Sequence, residues 1–317
     1  MLIIDTGNTD PWFNLAAEEY FFRKYDREVF MVYINGKSVI IGKHQNPAEE
    51  INIKCLVKKD IPLLRRISGG GTVYHDPGNL NYTYIHNSPD GKRVNFKELS
   101  YPIISFLNSH GVKAYSGEKN EIRTEGLKIS GNAEHVFKNR VLHHGTLLFS
   151  ADLGLMSECL APGNALIESR GVKSNRTKVI NLERFIKDID DINCLKSALI
   201  EYVLRTNPFA GKYILSQEDI ESINVLVKEK FLTWEWNFGY GPDFTFSNEF
   251  LIGDTKAKVF MEISRGIITR CIFTGPPGWD KLEKALPGTK HRFEDIKSVL
   301  EANKLGADEN IVFNFLA

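Results

Sequence analysis

Apolar residues along this chain recur with either a helical or a strand-like period, and the switches between the two mark its elements. Asn14 is placed to cap a helix over Leu15–Lys24, where Leu15, Ala16, Tyr20 and Phe22 interleave with Glu19. Glu18 and Glu19 read as first-turn carboxylates, favoured there by the helix dipole. Val29–Ile34 and Lys37–Ile41 are β-rich runs flanking Asn35-Gly36, the signal for a hairpin with a type I′ turn. Pro47 opens a short polar helix over Ala48–Lys59, and Ile61–Leu64 reads as a strand. Leu80–Ile85 alternates like a half-buried strand, and Phe96–His110 is an amphipathic helix closed by Gly111.

Short strands follow around Ala114, Glu121, Leu127, Ala133–Phe137 and Val141–Phe149, and helices dominate from Asn181 to Lys230. Trp234–Pro242 mixes aromatics with glycine and proline and resembles a domain boundary. Beyond it, Phe250–Thr274 suggests two or three strands, and Lys281–Leu286 and Phe293–Asn303 suggest helices. Clustered strands with helices grouped between them predict an α+β fold with a mixed or antiparallel sheet. The expected division is a main domain over residues 1–242 and a small α+β accessory domain over 243–317.

Composition narrows the function class. The chain has 317 residues, of which 42% are hydrophobic and 25% charged, the balance of a globular protein with a full core. Lys+Arg and Asp+Glu both number 40, so no global field points to nucleic acid. No apolar stretch is long enough for a signal peptide or a membrane span. Cys55, Cys159, Cys194 and Cys271 are scattered, which predicts reduced thiols in a cytoplasmic protein and neither a disulfide framework nor a zinc site.

Candidate chemistry centres on Arg65-Arg66-Ile67-Ser68-Gly69-Gly70-Gly71-Thr72-Val73-Tyr74-His75-Asp76. Three residues without Cβ let the backbone approach a ligand, and their N–H groups can form an anion nest flanked by guanidiniums. The spacing is neither that of a Walker loop nor that of a dinucleotide fold. Lys128, on a short strand entering a Ser130-Gly131 turn, offers a compact cation suited to a phosphate in a transition state. His143 and His144 are adjacent on a strand and face opposite sides, which argues against a metal pair; a satisfied structural role fits each. The basic segment Gly171–Asn181 has the composition of a loop able to close over a nucleotide.

Together these segments closely resemble the lipoate–protein ligase A family, within the biotinyl/lipoyl-protein ligases. The resemblance runs through Asp10–Ala16 with Glu18-Glu19, Val39–Gly42 with Gln45-Asn46-Pro47, the arginine–glycine loop, Gly78-Asn79, Lys128–Gly131, His143–Leu147, Gly171–Asn181 and Trp234–Gly239. It implies the ligase fold followed by an accessory domain, and activation of lipoate by ATP as lipoyl-AMP. Transfer to a lysine of a lipoyl carrier domain follows: 2-oxoacid dehydrogenase subunits, the glycine-cleavage carrier, or both. By motif, Arg66, Gly71, Thr72, Val73, Tyr74, Asn120, Ser174 and Arg176 fall at nucleotide contacts. Ser68, Gly69, Gly70 and His144 fall at lipoate contacts, and Lys128 serves both. Mg²⁺ is expected on the phosphates. The family pattern has Asn-Asp where this chain has Asn120-Glu121, which leaves Glu121 outside the implied contacts.

Two other readings stay open. A cysteine-dependent octanoyl or lipoyl transferase on the same fold would need a thiolate, for which Cys159 is the nearest candidate. A non-catalytic lipoate-binding module would keep the fold without the chemistry.

Overall fold

The computed structural model describes residues 1–88, 96–306 and 308–316. Its strands in chain order are β1 (Leu2–Asp5), β2 (Val29–Ile34), β3 (Ser38–Ile41), β4 (Leu63–Arg65), β5 (Val73–His75) and β6 (Asn79–Asn87). Then come β7 (Tyr115–Ser116), β8 (Glu121–Thr124), β9 (Leu127–Phe137), β10 (Arg140–Leu148), β11 (Leu166–Ser169) and β12 (Gly211–Lys212). The last three are β13 (Phe244–Ile252), β14 (Thr255–Ser264) and β15 (Ile267–Thr274).

Eight strands form one mixed sheet in the order β12-β1-β2-β6-β10-β9-β8-β7. β1 runs parallel to both β12 and β2, and every other pairing in this sheet is antiparallel. Both faces are covered, so β2 is apolar at every position: Phe30 and Val32 enter one core while Val29, Met31 and Tyr33 enter the other. The α+β expectation holds, and β13-β14-β15 form an antiparallel sheet packed on helices Leu282–Ala285 and Phe293–Ala302. That sheet takes its edge strand, β11, from the earlier part of the chain through an antiparallel ladder to β13. Nothing in the sequence pattern signals this pairing.

Several local expectations are corrected. The first helix spans Pro11–Lys24 and is capped by Asp10, whose Oδ1 accepts the Trp12 N–H at 2.8 Å. Asp-Pro combines a strong N-cap with the residue best tolerated at the first helical position, and it outcompetes Asn14. Asn14 is buried, and its amide donates to Asn8 O and Asn35 Oδ1. Glu18 and Glu19 therefore lie in the helix interior, both buried. β2 and β3 form no hairpin; they belong to different sheets, and neither Asn35 nor Gly36 has the positive φ that a type I′ turn requires. The helix expected over Ala48–Lys59 breaks into Pro47–Glu50 and Ile53–Lys58, the second restarted by Asn52, whose Oδ1 accepts the Cys55 N–H. Ser130-Gly131 is no turn but the interior of β9.

A small sheet, β4-β3-β5, presents the glycine loop at the end of β4. Arg65 fixes it there. Its guanidinium is fully buried and donates to the carbonyls of Gly42, Lys43, Gln45, Trp236 and Asn237 at 2.8–3.0 Å. Asn237 Oδ1 accepts the Arg65 N–H, and Trp236 Nε1 donates to Arg65 O at 2.7 Å. Removing the guanidinium strands five buried acceptors, each costing about 1–3 kcal/mol if left unpaired. Arg65→Met is accordingly expected to lower the thermal midpoint by roughly 6–12 °C, allowing for partial relaxation. A midpoint within experimental error of the parent protein would contradict this role.

Candidate functional site

The loop leaving β4 does not fold as three equivalent glycines. Only Gly70 is left-handed, with φ +84°. Arg66 lies beneath the loop and is nearly inaccessible: its Nε donates to Ser68 Oγ at 2.9 Å, its Nη1 to Ile40 O, and its Nη2 to the carbonyls of Gly69 and Gly71. Burial pushes its pKa down to about 10, opposed by the charge of Glu18. Both arginines thus spend their donors on the protein; Arg65 faces away from the site and Arg66 forms part of its wall.

Two cavities meet at this loop. One of about 280 Å³ is lined by Leu15, Tyr33, Ile40, Ala133, His75 and His144. A second, of about 380 Å³, is lined by Tyr74, Leu148, Leu153, Met156 and Leu160, with Glu50 and Arg176 at its polar side. Thr72, Val73, Lys128, Gly131, Thr146 and Ser174 border both. Asn120 and Glu121 lie on the first cavity only. Ser68 is fully buried under the loop.

Lys128 sits where the cavities join. Its backbone is held on both sides, donating to Lys178 O and accepting from the Ile180 N–H, so the segment Lys178–Ile180 runs alongside β9 at this point. A Cβ on residue 131 would fall 2.9 Å from Lys128 Nζ; glycine at this position leaves room for the ammonium. Burial lowers the Lys128 pKa, with Glu121 partly opposing. A cation partly withdrawn from water interacts more strongly with an anion brought to it than a fully solvated one does.

The two histidines do separate across the strand. His143 is buried against Phe96 and Glu134. His144 faces the first cavity, with Nδ1 at 3.0 Å from both carboxylate oxygens of Glu18 and Nε2 at 2.6 Å from Ser68 Oγ. Glu18 also accepts from Tyr33 and Thr83. Burial raises its pKa, but the His144 charge and these bonds outweigh that and hold it below the ordinary carboxylate value. An acceptor-only carboxylate requires an N–H at the Nδ1 facing it. The resulting chain, Glu18–His144–Ser68–Arg66, fixes the loop's underside.

Glu18, Tyr33, Gln45, Glu50 and His75 all border or support the site, although the sequence assigned none of them a contact there. For Glu18 a signal exists: it occupies the apolar stripe Leu15, Glu18, Phe22, where a buried carboxylate needs partners. His75 lies on the first cavity; Asn35 Nδ2 donates to its Nδ1, and burial pushes its pKa down to about 3, leaving it neutral. Its Nε2 and the Tyr74 hydroxyl have no partner among the described residues.

Residues 10–204 match the family model described as lipoyl protein ligase A/B catalytic domain. Over 314 residues the chain is 36% identical to lipoate-protein ligase LplJ of Bacillus subtilis (strain 168), covering 96% of this chain and 95% of that protein. It is 37% identical over 307 residues to lipoate–protein ligase 1 of Staphylococcus aureus (strain Mu50), covering 95% and 93%. Among solved structures, a lipoate-protein ligase A bound with ATP is similar at a TM-score of 0.63 and 28% identity, over 75% of this chain and 98% of that one. A bi-partite archaeal lipoate protein ligase from Thermoplasma acidophilum, studied with its E2 lipoyl domain, is similar at 0.62 and 25%, over 75% and 95%. The glycine loop and Lys128 both lie within the matched span, and the chain belongs to the lipoyl protein ligase A/B family.

Proposed function

We propose that the protein is an ATP-dependent lipoate–protein ligase, and the observation that carries this is the partly buried Lys128 between two cavities of different lining. The 280 Å³ cavity, with Leu15, Ile40 and Ala133 on its walls, accepts the acyl chain, with Gly69, Gly70 and His144 beside it and Ser68 supporting them from below. The 380 Å³ cavity accepts the nucleotide against Val73, Leu148, Leu153 and Leu160. Thr72, Tyr74, Ser174 and Arg176 line that cavity, Gly71 and Asn120 border the first cavity, and Arg66 holds the loop's shape.

The lipoate carboxylate attacks the α-phosphorus of ATP, the bond to the β-phosphate oxygen breaks, and pyrophosphate leaves. Two anions must meet in this step, and Lys128 Nζ supplies a fixed positive charge where they do. The neutral amine of a carrier lysine then attacks the carbonyl of the mixed anhydride and AMP departs. Mg²⁺ would be carried by the phosphates and offset part of their charge; among the described residues no group of three or more His, Cys, Asp or Glu is placed to hold a metal. The carriers fitting this chemistry are lipoyl domains of 2-oxoacid dehydrogenases or the glycine-cleavage carrier. Residues 1–242 carry the chemistry and 243–317 form the accessory part. A cytoplasmic location suits the unpaired thiols.

The thiolate alternative is disfavoured by geometry. Cys159 is fully buried, contacts Cys55 with sulfurs 3.2 Å apart, and borders neither cavity. Burial pushes its thiol up to about 12, so almost no thiolate is present at neutral pH.

With lipoate, ATP and Mg²⁺, pyrophosphate–ATP exchange is expected, and Lys128→Ala should slow it by about 10²–10³-fold, the loss of roughly 3 kcal/mol from one preorganised donor. A loss below about tenfold would remove Lys128 from the centre of the reaction. Cys159→Ala should leave ligation to a carrier domain unchanged; loss of transfer with exchange intact would restore the thiol as a participant.

A further inference from the structure

One backbone donor of the glycine loop is already occupied. The Thr72 N–H donates to the hydroxyl oxygen of Ser174 at 2.8 Å. The same hydroxyl accepts from Gln45 Nε2 at 3.0 Å and donates to Glu50 Oε2. The Ser174 N–H donates to Glu50 Oε1 at 3.0 Å, so one carboxylate holds both polar groups of this residue. Thr72 Oγ1 donates to Gln45 Oε1 at 2.9 Å, closing the network. Glu50 is 4% exposed and ends the short helix Pro47–Glu50, which Asn46 caps.

Gly71 records the same contact. It is not left-handed, yet a Cβ there would fall 2.9 Å from Ser174 Oγ and 3.2 Å from its Cβ. The glycine at position 71 is therefore matched to Ser174 packing on it, and not to backbone freedom. An oxygen receiving two N–H donors beside a glycine turn stands where such turns place an oxygen of a bound anion.

We propose that Ser174 is an internal ligand of the glycine loop and that Glu50, oriented with Gln45, is the positioning residue that keeps it there. The Thr72 N–H reaches a nucleotide oxygen only when the Ser174 hydroxyl has left it, so part of the nucleotide's binding free energy goes into releasing this catch. This rests on the nucleotide reading given above and deepens it. The free protein keeps its loop donor satisfied and its loop shape defined, and the cost appears as a weaker apparent affinity for ATP.

The test combines a ligand-free measurement with a kinetic one. In the ligand-free protein the Thr72 amide should be protected from hydrogen exchange, and in Ser174→Ala it should exchange at least about fivefold faster, the equivalent of one net hydrogen bond. In pyrophosphate–ATP exchange, Ser174→Ala and Glu50→Gln should each lower the KM for ATP by about the same factor. Equal Thr72 protection in Ser174→Ala overturns the internal contact. A raised KM in either variant overturns the catch, since Ser174 would then aid the nucleotide. A fall in kcat and thermal midpoint together, with KM unchanged, also overturns it, as the mark of a purely structural role. Absence of exchange in the parent protein would instead defeat the nucleotide reading, while the amide measurement would still decide whether Ser174 holds Thr72.

Discussion

A guanidinium withdrawn from water must have every donor satisfied, and in this protein that requirement organises the site. Arg65 is buried and ionised, its pKa pushed down only to about 10. It meets its need from main-chain carbonyls, which cannot move without moving the chain. The acceptors come from the turn Gly42–Gln45 and from Trp236-Asn237, so one side chain joins segments far apart in sequence. The aromatic run near residue 236 is thus part of the foundation of the glycine loop, quite apart from any role as a boundary.

Arg66, the neighbouring residue, points to the other side of the strand and does related work. Its countercharge is Glu18, reached through Ser68 and His144. Buried charges contribute little net stability unless fully compensated, and their main return here is geometric: each link fixes the orientation of the next. The loop is rigid underneath and exposes its working surface only toward the cavities. Preorganisation of this kind lowers the reorganisation a transition state would otherwise require.

How far the sequence made this visible depends on the kind of signal. Sheet strands with both faces buried, the amphipathic helix Phe96–Ser109 and the strands within Phe250–Thr274 follow from periodicity, because apolar spacing reports burial directly. The glycine loop and Lys128 stood out because few structural tasks need three glycines beside two arginines. What stayed hidden depended on long-range partners. Asn35-Gly36 carries the local chemistry of a hairpin, yet Asn35 is consumed by Asn14 and His75, and tertiary bonding overrides turn propensity. Gln45, just before a helix, and Glu50, within it, look like ordinary polar residues until Ser174, more than a hundred positions later, lands on them. The two arginines look equivalent in sequence and differ only because successive residues of a strand face opposite ways.

The pairing of β11 with β13 bears on how the chain assembles. Leu166–Ser169 leaves the ribosome well before its ladder partner Phe244–Ile252 has been made, so this strand waits as an unpaired edge. The segment that covers the glycine loop begins just after it, and its upstream anchor is completed only when the C-terminal sheet forms. That segment is therefore among the last parts of the molecule to be secured during synthesis. A chain halted before Phe244 could complete the large sheet and the Arg65 junction, yet would lack that anchor.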